Sequence, residues 1–151
     1  MTAAQEAVPP LVSAARFWVS CEGWANGLGF SKLAGFTTEV EFLEYSYNNR
    51  NSNVHTKQFG RPRPPSMTLE RGLDAPGYAK LFRWHELARK NDPTAKLPAQ
   101  FAIMSASGHL ALSCVLENAW CAKLEIDPAQ AGASAVVHMR ATIVCDDIRL
   151  P

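Results

Sequence analysis

The stretch Phe30-Ser31-Lys32-Leu33-Ala34-Gly35-Phe36-Thr37-Thr38-Glu39-Val40-Glu41-Phe42-Leu43-Glu44-Tyr45-Ser46-Tyr47 carries an alternation that changes sides midway. Successive side chains of a strand point to opposite faces. From Phe36 the even positions read Phe36, Thr38, Val40, Phe42, an apolar row. The odd positions Thr37, Glu39 and Glu41 are polar, and then Leu43, Tyr45 and Tyr47 turn that side apolar, with Glu44 and Ser46 opposite. A strand that exchanges its apolar face either bulges at the exchange or runs on past its own domain to pack on a neighbour. A glycine turn at Gly35 is expected to lead into it.

Downstream, Asn48 to Pro65 is rich in Asn, Arg and Pro and closes on Gly60-Arg61-Pro62-Arg63-Pro64-Pro65. Proline has no amide hydrogen to donate, so this segment cannot be a central strand. It reads as an extended loop over about residues 48–65, and structureless loops of that length usually have a role. Its cations are Arg50, Lys57, Arg61 and Arg63, with His55 among them. A solvated loop, a contact arm ordered by a partner subunit, and a nucleic-acid arm are the three readings. Phe59 as the sole aromatic and the near-neutral chain weaken the third.

Upstream, Met1 to Leu11 is Ala-rich with Pro9-Pro10 and reads as a flexible arm over about residues 1–13. Ala14 to Gly23 alternates Phe17, Val19, Cys21 against Arg16, Trp18, Ser20, a first strand. Trp24 to Gly35, with Gly27, Gly29 and Gly35, suits a turn with positive backbone angles. No GK[ST] follows, so these glycines make no phosphate loop. Ser66 to Gly72 is a short strand. Asp74-Ala75-Pro76 starts a helix, an acceptor side chain ahead of a first-turn proline. The helix is expected over about residues 76–90, with Tyr78, Leu81, Phe82, His85 and Ala88 on one face and Trp84 on its flank. His85 reads as a satisfied core histidine.

The last third predicts strands at Ala99 to Ala106, Leu110 to Glu117 and Ala122 to Ile126, with a hairpin signal at Ser107-Gly108 and a turn at Asn118-Ala119-Trp120-Cys121. A long final strand runs from Ala135 to Leu150. Strands, one helix, then strands, without alternating βα units, predict a mainly β fold: an antiparallel barrel or sandwich with one packed helix, in a single domain over residues 14–151.

With 151 residues, 47% of them apolar and 19% charged, the chain has the composition of one globular domain with a proper core. A net charge of +1 gives no long-range pull toward nucleic acid or an anionic membrane. The start lacks the basic and apolar segments of a signal peptide, so synthesis in the cytoplasm without standard export is expected. Cys21, Cys114, Cys121 and Cys145 form no CxxC and read as buried thiols. His55, His85, His109 and His138 make no HExxH, HxH or HxxxH pair, so neither a metal, a cofactor nor catalytic machinery is expected. A Cys–His pair formed only in space, such as Cys114 with His138, is the enzymatic alternative.

Phe30-Ser31, Gly35-Phe36, Glu39-Val40-Glu41 and Glu44-Tyr45 resemble the "FS…G(L/F)…EVE…EY" run near the start of the tail-tube proteins of contractile phages and phage-like contractile injection systems. The resemblance continues in order. Phe17-Trp18-Val19 with Gly23 is similar to that family's first strand, and Thr68-Leu69-Glu70-Arg71-Gly72 to its "(T)L(K)RG" strand end. Leu81-Phe82-Arg83-Trp84 resembles the helix whose tryptophan packs on the barrel, and Asn118-Ala119-Trp120 the "NAW/NAY" turn. Glu70 stands where a basic residue is frequent, and Cys121 where proline is common. Phe17, Gly35, Phe36, Gly72, Trp84 and Trp120 are the fold-defining positions of the match.

The resemblance implies a structural subunit, not an enzyme: six-fold rings whose strands join into one inner barrel, stacked into a hollow tube that a contracting sheath drives through a target envelope. The implied partners are copies of the chain itself, sheath and baseplate proteins, and a protein effector or DNA as cargo, with no membrane anchor, in a phage tail or tail-like particle. Glu39, Glu41, Glu44, Tyr45, Tyr47, Arg50, Lys57, Phe59 and Arg61 are the expected subunit and ring contacts. A tube-initiating ring at the baseplate and an Hcp-like ring of a type VI secretion apparatus are alternatives with the same fold. A small β-barrel enzyme or ligand-binding protein is the alternative of another class.

Overall fold

Residues 16–49, 52–132 and 134–151 are described by the computed structural model. The arm expected over residues 1–13 and Arg50 lie outside them. The strands are β1 (Arg16–Cys21), β2 (Leu28–Phe30), β3 (Lys32–Asn49), β4 (Ser52–Gly72), β5 (Leu97–Met104), β6 (Leu110–Ile126), β7 (His138–Val144) and β8 (Asp147–Arg149). One helix, α1 (Ala75–Arg89), and a short 3-10 turn at Pro93–Ala95 separate β4 from β5. Every pairing is antiparallel, and the strands follow the order β2-β1-β5-β6-β7-β4-β3, with β8 also on β6. The sheet is curled but not closed. Its end strands β2 and β3 are joined in sequence through Ser31, whose N–H donates to the Glu70 carbonyl, 2.9 Å.

The curl encloses one apolar core. Val19, Phe30, Met67, Leu69, Phe101, Leu116, Met139 and Ile143 come from the sheet, and Leu81 and Trp84 from the helix. The expected cap forms: the Asp74 carboxylate accepts from the Gly77 N–H at 3.3 Å, with Pro76 in the first turn. Trp84 Nε1 donates to the Ala95 carbonyl at 2.7 Å, so its buried polar atom is satisfied. His85 Nδ1 lies 2.8 Å from the Cys121 carbonyl; a carbonyl only accepts, so the proton sits on Nδ1. The histidine is satisfied as expected, but half-buried rather than in the core.

Four local expectations are corrected. First, of the loop expected over residues 48–65, Asn48 and Asn49 end β3 and residues 52–65 belong to β4, which pairs with β3 from Asn49↔Ser52 back to Lys32↔Glu70. Its prolines are tolerated because β4 meets its second partner, β7, only from Ser66 onward: Pro62 and Pro64 lie where one edge is open, and the buried Pro65 only accepts, from the Cys145 N–H at 3.1 Å. Second, the glycine turn before the long strand is shorter than expected. β2 lies inside it, and Gly35 sits within β3 beside a bulge at Leu33/Gly35, where an added Cβ would meet nothing within 4 Å. Gly27 is there for space, since a Cβ would come 2.7 Å from Trp18 Cε2.

Third, the expected turn at Asn118-Ala119-Trp120-Cys121 is a bulge within the continuous strand β6. Asn118 takes φ 52°, a left-handed value that asparagine tolerates. Fourth, the expected final strand 135–150 is two strands. Both pair with β6, β7 on one half of it and β8 on the other, with a kink at Cys145–Asp146 opposite the Asn118 bulge, and residues 135–137 lie before the first of them. Asn118 Nδ2 donates to Asp146 Oδ2 at 2.9 Å, and the Asp146 N–H to the Glu117 carbonyl at 2.8 Å, which fixes the two bends to each other.

Candidate assembly interface

β3 and β4 are too long for the domain that carries them. β4 leaves β7 at Ser66↔Val144, where its partner on β3 is Thr37. From there to Asn49, among the described residues, the two strands pair only with each other, an overhang of roughly 40 Å at about 3.3 Å per residue. A two-stranded ribbon alone is marginal in water. This one is rich in Thr, Val, Phe and Tyr, residues that favour pleated, half-covered surfaces.

Two irregularities on β4 shape the ribbon. One extra residue falls on β4 between Thr37↔Ser66 and Glu39↔Arg63, at the Pro64-Pro65 pair, and another between Val40↔Pro62 and Phe42↔Phe59, beside Gly60. Bulges bend a strand and increase its twist. A Cβ on Gly60 would lie 2.7 Å from the Glu41 carbonyl oxygen, so the bulge depends on glycine.

The exchange of faces read from the sequence is present in space. On one face Phe42 stands opposite Phe59, with Val40 and Phe36 toward the root. Phe59 is 95% exposed and Phe42 62%. On the other face Leu43, also 62% exposed, precedes Tyr45 and Tyr47, whose rings stack at 6.1 Å, with Val54 opposite Tyr47. At its root the ribbon touches the core, where Phe36 stacks on Phe101 at 5.9 Å. Exposed aromatics on both faces of one ribbon are far more apolar surface than a solvated strand pair needs.

The charged residues are paired along the ribbon. Arg63 lies 3.1 Å from Glu41 and 3.8 Å from Glu39, and Lys57 lies 3.4 Å from Glu44 and 5.2 Å above the Phe42 ring. These exposed pairs stabilise little. Their effect is to leave the ribbon nearly neutral, so its apolar residues dominate contact. Arg61 is exposed, with no carboxylate partner among the described residues.

Glu39, Glu41, Glu44, Tyr45, Tyr47, Lys57, Phe59 and Arg61 are therefore gathered on one projecting element. Val40, Phe42 and Leu43 belong with them; their apolar alternation was legible, but not that no described residue covers it. Leu110 and Leu112, 61% and 43% exposed, form a second apolar edge at the start of β6. They continue the row of Cys114 and Leu116 past the end of the core, which periodicity alone does not reveal. Of the fold-defining positions, Trp84 is buried, Phe17 stacks on Phe101 at 6.3 Å, and Trp120 packs partly buried against the core.

Cys114 and His138 are not brought together. Cys114 pairs in register with Phe101 and His138 with Gly72, and His138 Nδ1 lies 3.9 Å from Glu70. Burial pushes the Cys114 thiol up, away from the reactive thiolate. Among the described residues no group of His, Cys, Asp or Glu is arranged to hold a metal, and no helix is long and apolar enough to cross a membrane.

Residues 13–149 match the family model of the T4-like virus tail tube protein gp19. The chain belongs to this family of tail tube proteins. The tail-tube assignment makes it a structural tube subunit, and it accords with the fold of solved assemblies. A chain of the sheath–tube complex of the PVC extracellular contractile injection system, in its extended state, is similar over 100% of this chain and 98% of its own, with TM-score 0.71 and 18% identity. A chain of the tube-terminating cap of the anti-feeding prophage covers 100% and 97%, with TM-score 0.73 and 20% identity. A type six secretion system protein is more distant, with TM-score 0.52 and 7% identity over 89% and 82%. No curated protein sequence matches this tail-tube protein.

Proposed function

We propose that the chain closes into six-fold rings that stack into a hollow tube, and that the β3–β4 ribbon is its main assembly element. The carrying observation is the ribbon's two apolar faces, which none of the described residues covers. One face is apolar near the root and the other near the tip, so a single neighbour on one side would cover only half of it. Contact with both a ring neighbour and a subunit of the adjacent ring covers both. A head-to-tail contact that closes by rotation gives a ring, and repetition along the axis gives a tube. The open edges of β3 and β4 favour pairing with another chain.

Glu39, Glu41, Glu44, Tyr45, Tyr47, Lys57, Phe59 and Arg61 are assigned to these contacts, together with Arg50. Sheath and baseplate proteins are the proposed partners along the outer surface and at the end, in a phage tail or a phage-tail-like particle. The proposed cargo, a protein effector or DNA, passes through the lumen when sheath contraction drives the tube into an envelope. A ring that starts or ends the tube is the second reading, supported by the likeness to a cap chain.

The test is electron microscopy with mass in solution over a concentration series. Wild-type protein is expected to form six-fold rings or tubes. The paired residues Leu43 and Gln58 allow a register-matched truncation, in which residues 44–57 give way to an Asn-Gly turn. That variant should remain folded and lose stacking. Tubes of normal length from the truncated chain would overturn the role of the ribbon.

A further inference from the structure

A strand edge without a partner in its own chain leaves N–H and C=O groups for another chain to bond, and folded proteins guard such edges with proline, charge, bulges or shortness. Most open edges among the described residues carry a guard. β2 and β8 are three residues long, and β8 has a charged residue at each end. β4, open before Ser66, carries Lys57, Arg61 and Arg63, bulges beside Gly60 and is interrupted by Pro62 and Pro64. β6 beyond Ala119, on the side away from β7, carries Lys123 and Glu125. There α1 reaches it at Cys121, whose carbonyl accepts from His85 Nδ1 at 2.8 Å.

Two open edges lack these guards. β3 ends the strand order, so its outer edge has no partner among the described residues. From Thr38 to Asn49 it holds no proline and no cation, both bulges of the ribbon fall on β4, and Glu39, Glu41 and Glu44 are held by Arg63 and Lys57 of β4. The other unguarded edge is Leu110–Cys114 of β6. β5 pairs one side of it, while on the other side β8 reaches only as far as Val115. Leu110-Ala111-Leu112-Ser113-Cys114 contains neither charge nor proline, and its two leucines are exposed.

We infer that the outer edge of β3, over residues 38–49, pairs with the open Leu110–Cys114 edge of β6 in a second copy of the chain, with Leu43, Tyr45 and Tyr47 packed against Leu110 and Leu112. This contact deepens the ring-and-tube reading proposed above and rests on it. Pairing β3 with β3, or β6 with β6, is a two-fold contact that stops at a dimer. Pairing two unlike edges is head-to-tail and repeats from copy to copy, as a ring or a tube requires. Neither edge brings an unpaired charge, so backbone hydrogen bonds and apolar burial are not opposed by the desolvation of an ion. The added strand also continues the line of β8 along β6.

The test replaces Leu112 of the full chain with the photo-cross-linking residue p-benzoylphenylalanine and irradiates assembled tubes. Covalent dimers are expected, with the attachment mapped by mass spectrometry to residues 38–49. Tubes whose cross-links join Leu112 to another segment, to its own chain or to no partner would overturn the edge pairing and leave the tube reading standing. Wild-type protein that forms neither rings nor tubes would overturn both. Where the Leu112 variant does not assemble, the same group in place of Tyr45, aromatic for aromatic, reads the contact from the other side. It should attach to residues 109–114 of a second copy, and attachment elsewhere overturns the pairing. Leu110→Lys puts a guarding charge at an exposed position. It should keep the wild-type melting temperature and raise the concentration needed for tubes at least about tenfold. Tubes at the wild-type concentration from that variant would also overturn the pairing.

Discussion

Gly60 and Glu41 approach so closely across the β3–β4 ribbon that a single methyl group on Gly60 would fall 2.7 Å from the Glu41 carbonyl oxygen. The obstructing atom is backbone and cannot swing aside. Gly60→Ala must therefore move one strand relative to the other and change the bend of everything beyond it. The ribbon hangs outside the core, so the melting temperature should shift by no more than about 3 °C. Assembly should suffer far more. The expected result is folded protein whose critical concentration for tube formation rises at least about tenfold, measured by sedimentation.

Phe59 offers a separate test of the same ribbon. At 95% exposure it contributes almost nothing to the monomer, and Phe59→Asp should change stability by less than about 0.5 kcal/mol in urea unfolding. Placed in a desolvated contact, the carboxylate would lack a partner and destabilise it by several kcal/mol. The variant should behave as a stable monomer. Tube formation at the wild-type concentration would show that Phe59 faces solvent in the assembly.

Asn118 is expected to govern the monomer rather than the assembly. Its φ of 52° and its 2.9 Å bond to Asp146 hold the β6 bulge against the β7–β8 kink. Asn118→Gly keeps the conformation and loses the bond, at about 1 kcal/mol. Asn118→Val adds a β-branched residue at a left-handed position, for about 2 kcal/mol more. The order wild type, Gly, Val in urea midpoints checks this.

The buried thiols give a pH dependence. Burial, with Cys121 nearby, pushes Cys21 up to about 12, and burial likewise pushes Cys121 to about 12. An unfolded thiol ionises near 9, so above that pH the unfolded state releases protons that the folded state keeps. Stability is whole below pH 9 and falls as pH rises toward 12, by up to about 1.4 kcal/mol per pH unit per thiol. A Cys21→Ala, Cys121→Ala variant should lose stability less steeply between pH 9 and 11 than wild type. Identical slopes would show that these thiols are not protected in the fold.

Much of this fold was legible because its signals are local. The Asp74-Ala75-Pro76 cap and the apolar face of Leu81 and His85 placed the helix to within a residue. The exchange of apolar faces at Glu41–Leu43 offered a bulge or a strand that leaves its own core, and β3 does leave it. What failed was partnership between distant segments. Three prolines argued against a strand at residues 52–65, because nothing local says that this part of β4 has an open edge. Asn118 read as a turn residue, since a left-handed bulge and a turn draw on the same conformational tolerance. The apolar edge at Leu110 and Leu112 was hidden for a different reason: a row of inward residues looks the same whether or not the core ends beneath it.

The most direct measurement is a cryo-EM reconstruction of the assembled wild-type protein. The account predicts six-fold rings in which Val40, Phe42 and Phe59 are buried against one neighbouring subunit and Leu43, Tyr45 and Tyr47 against another. A tube in which the ribbon projects into solvent with both faces bare would contradict it.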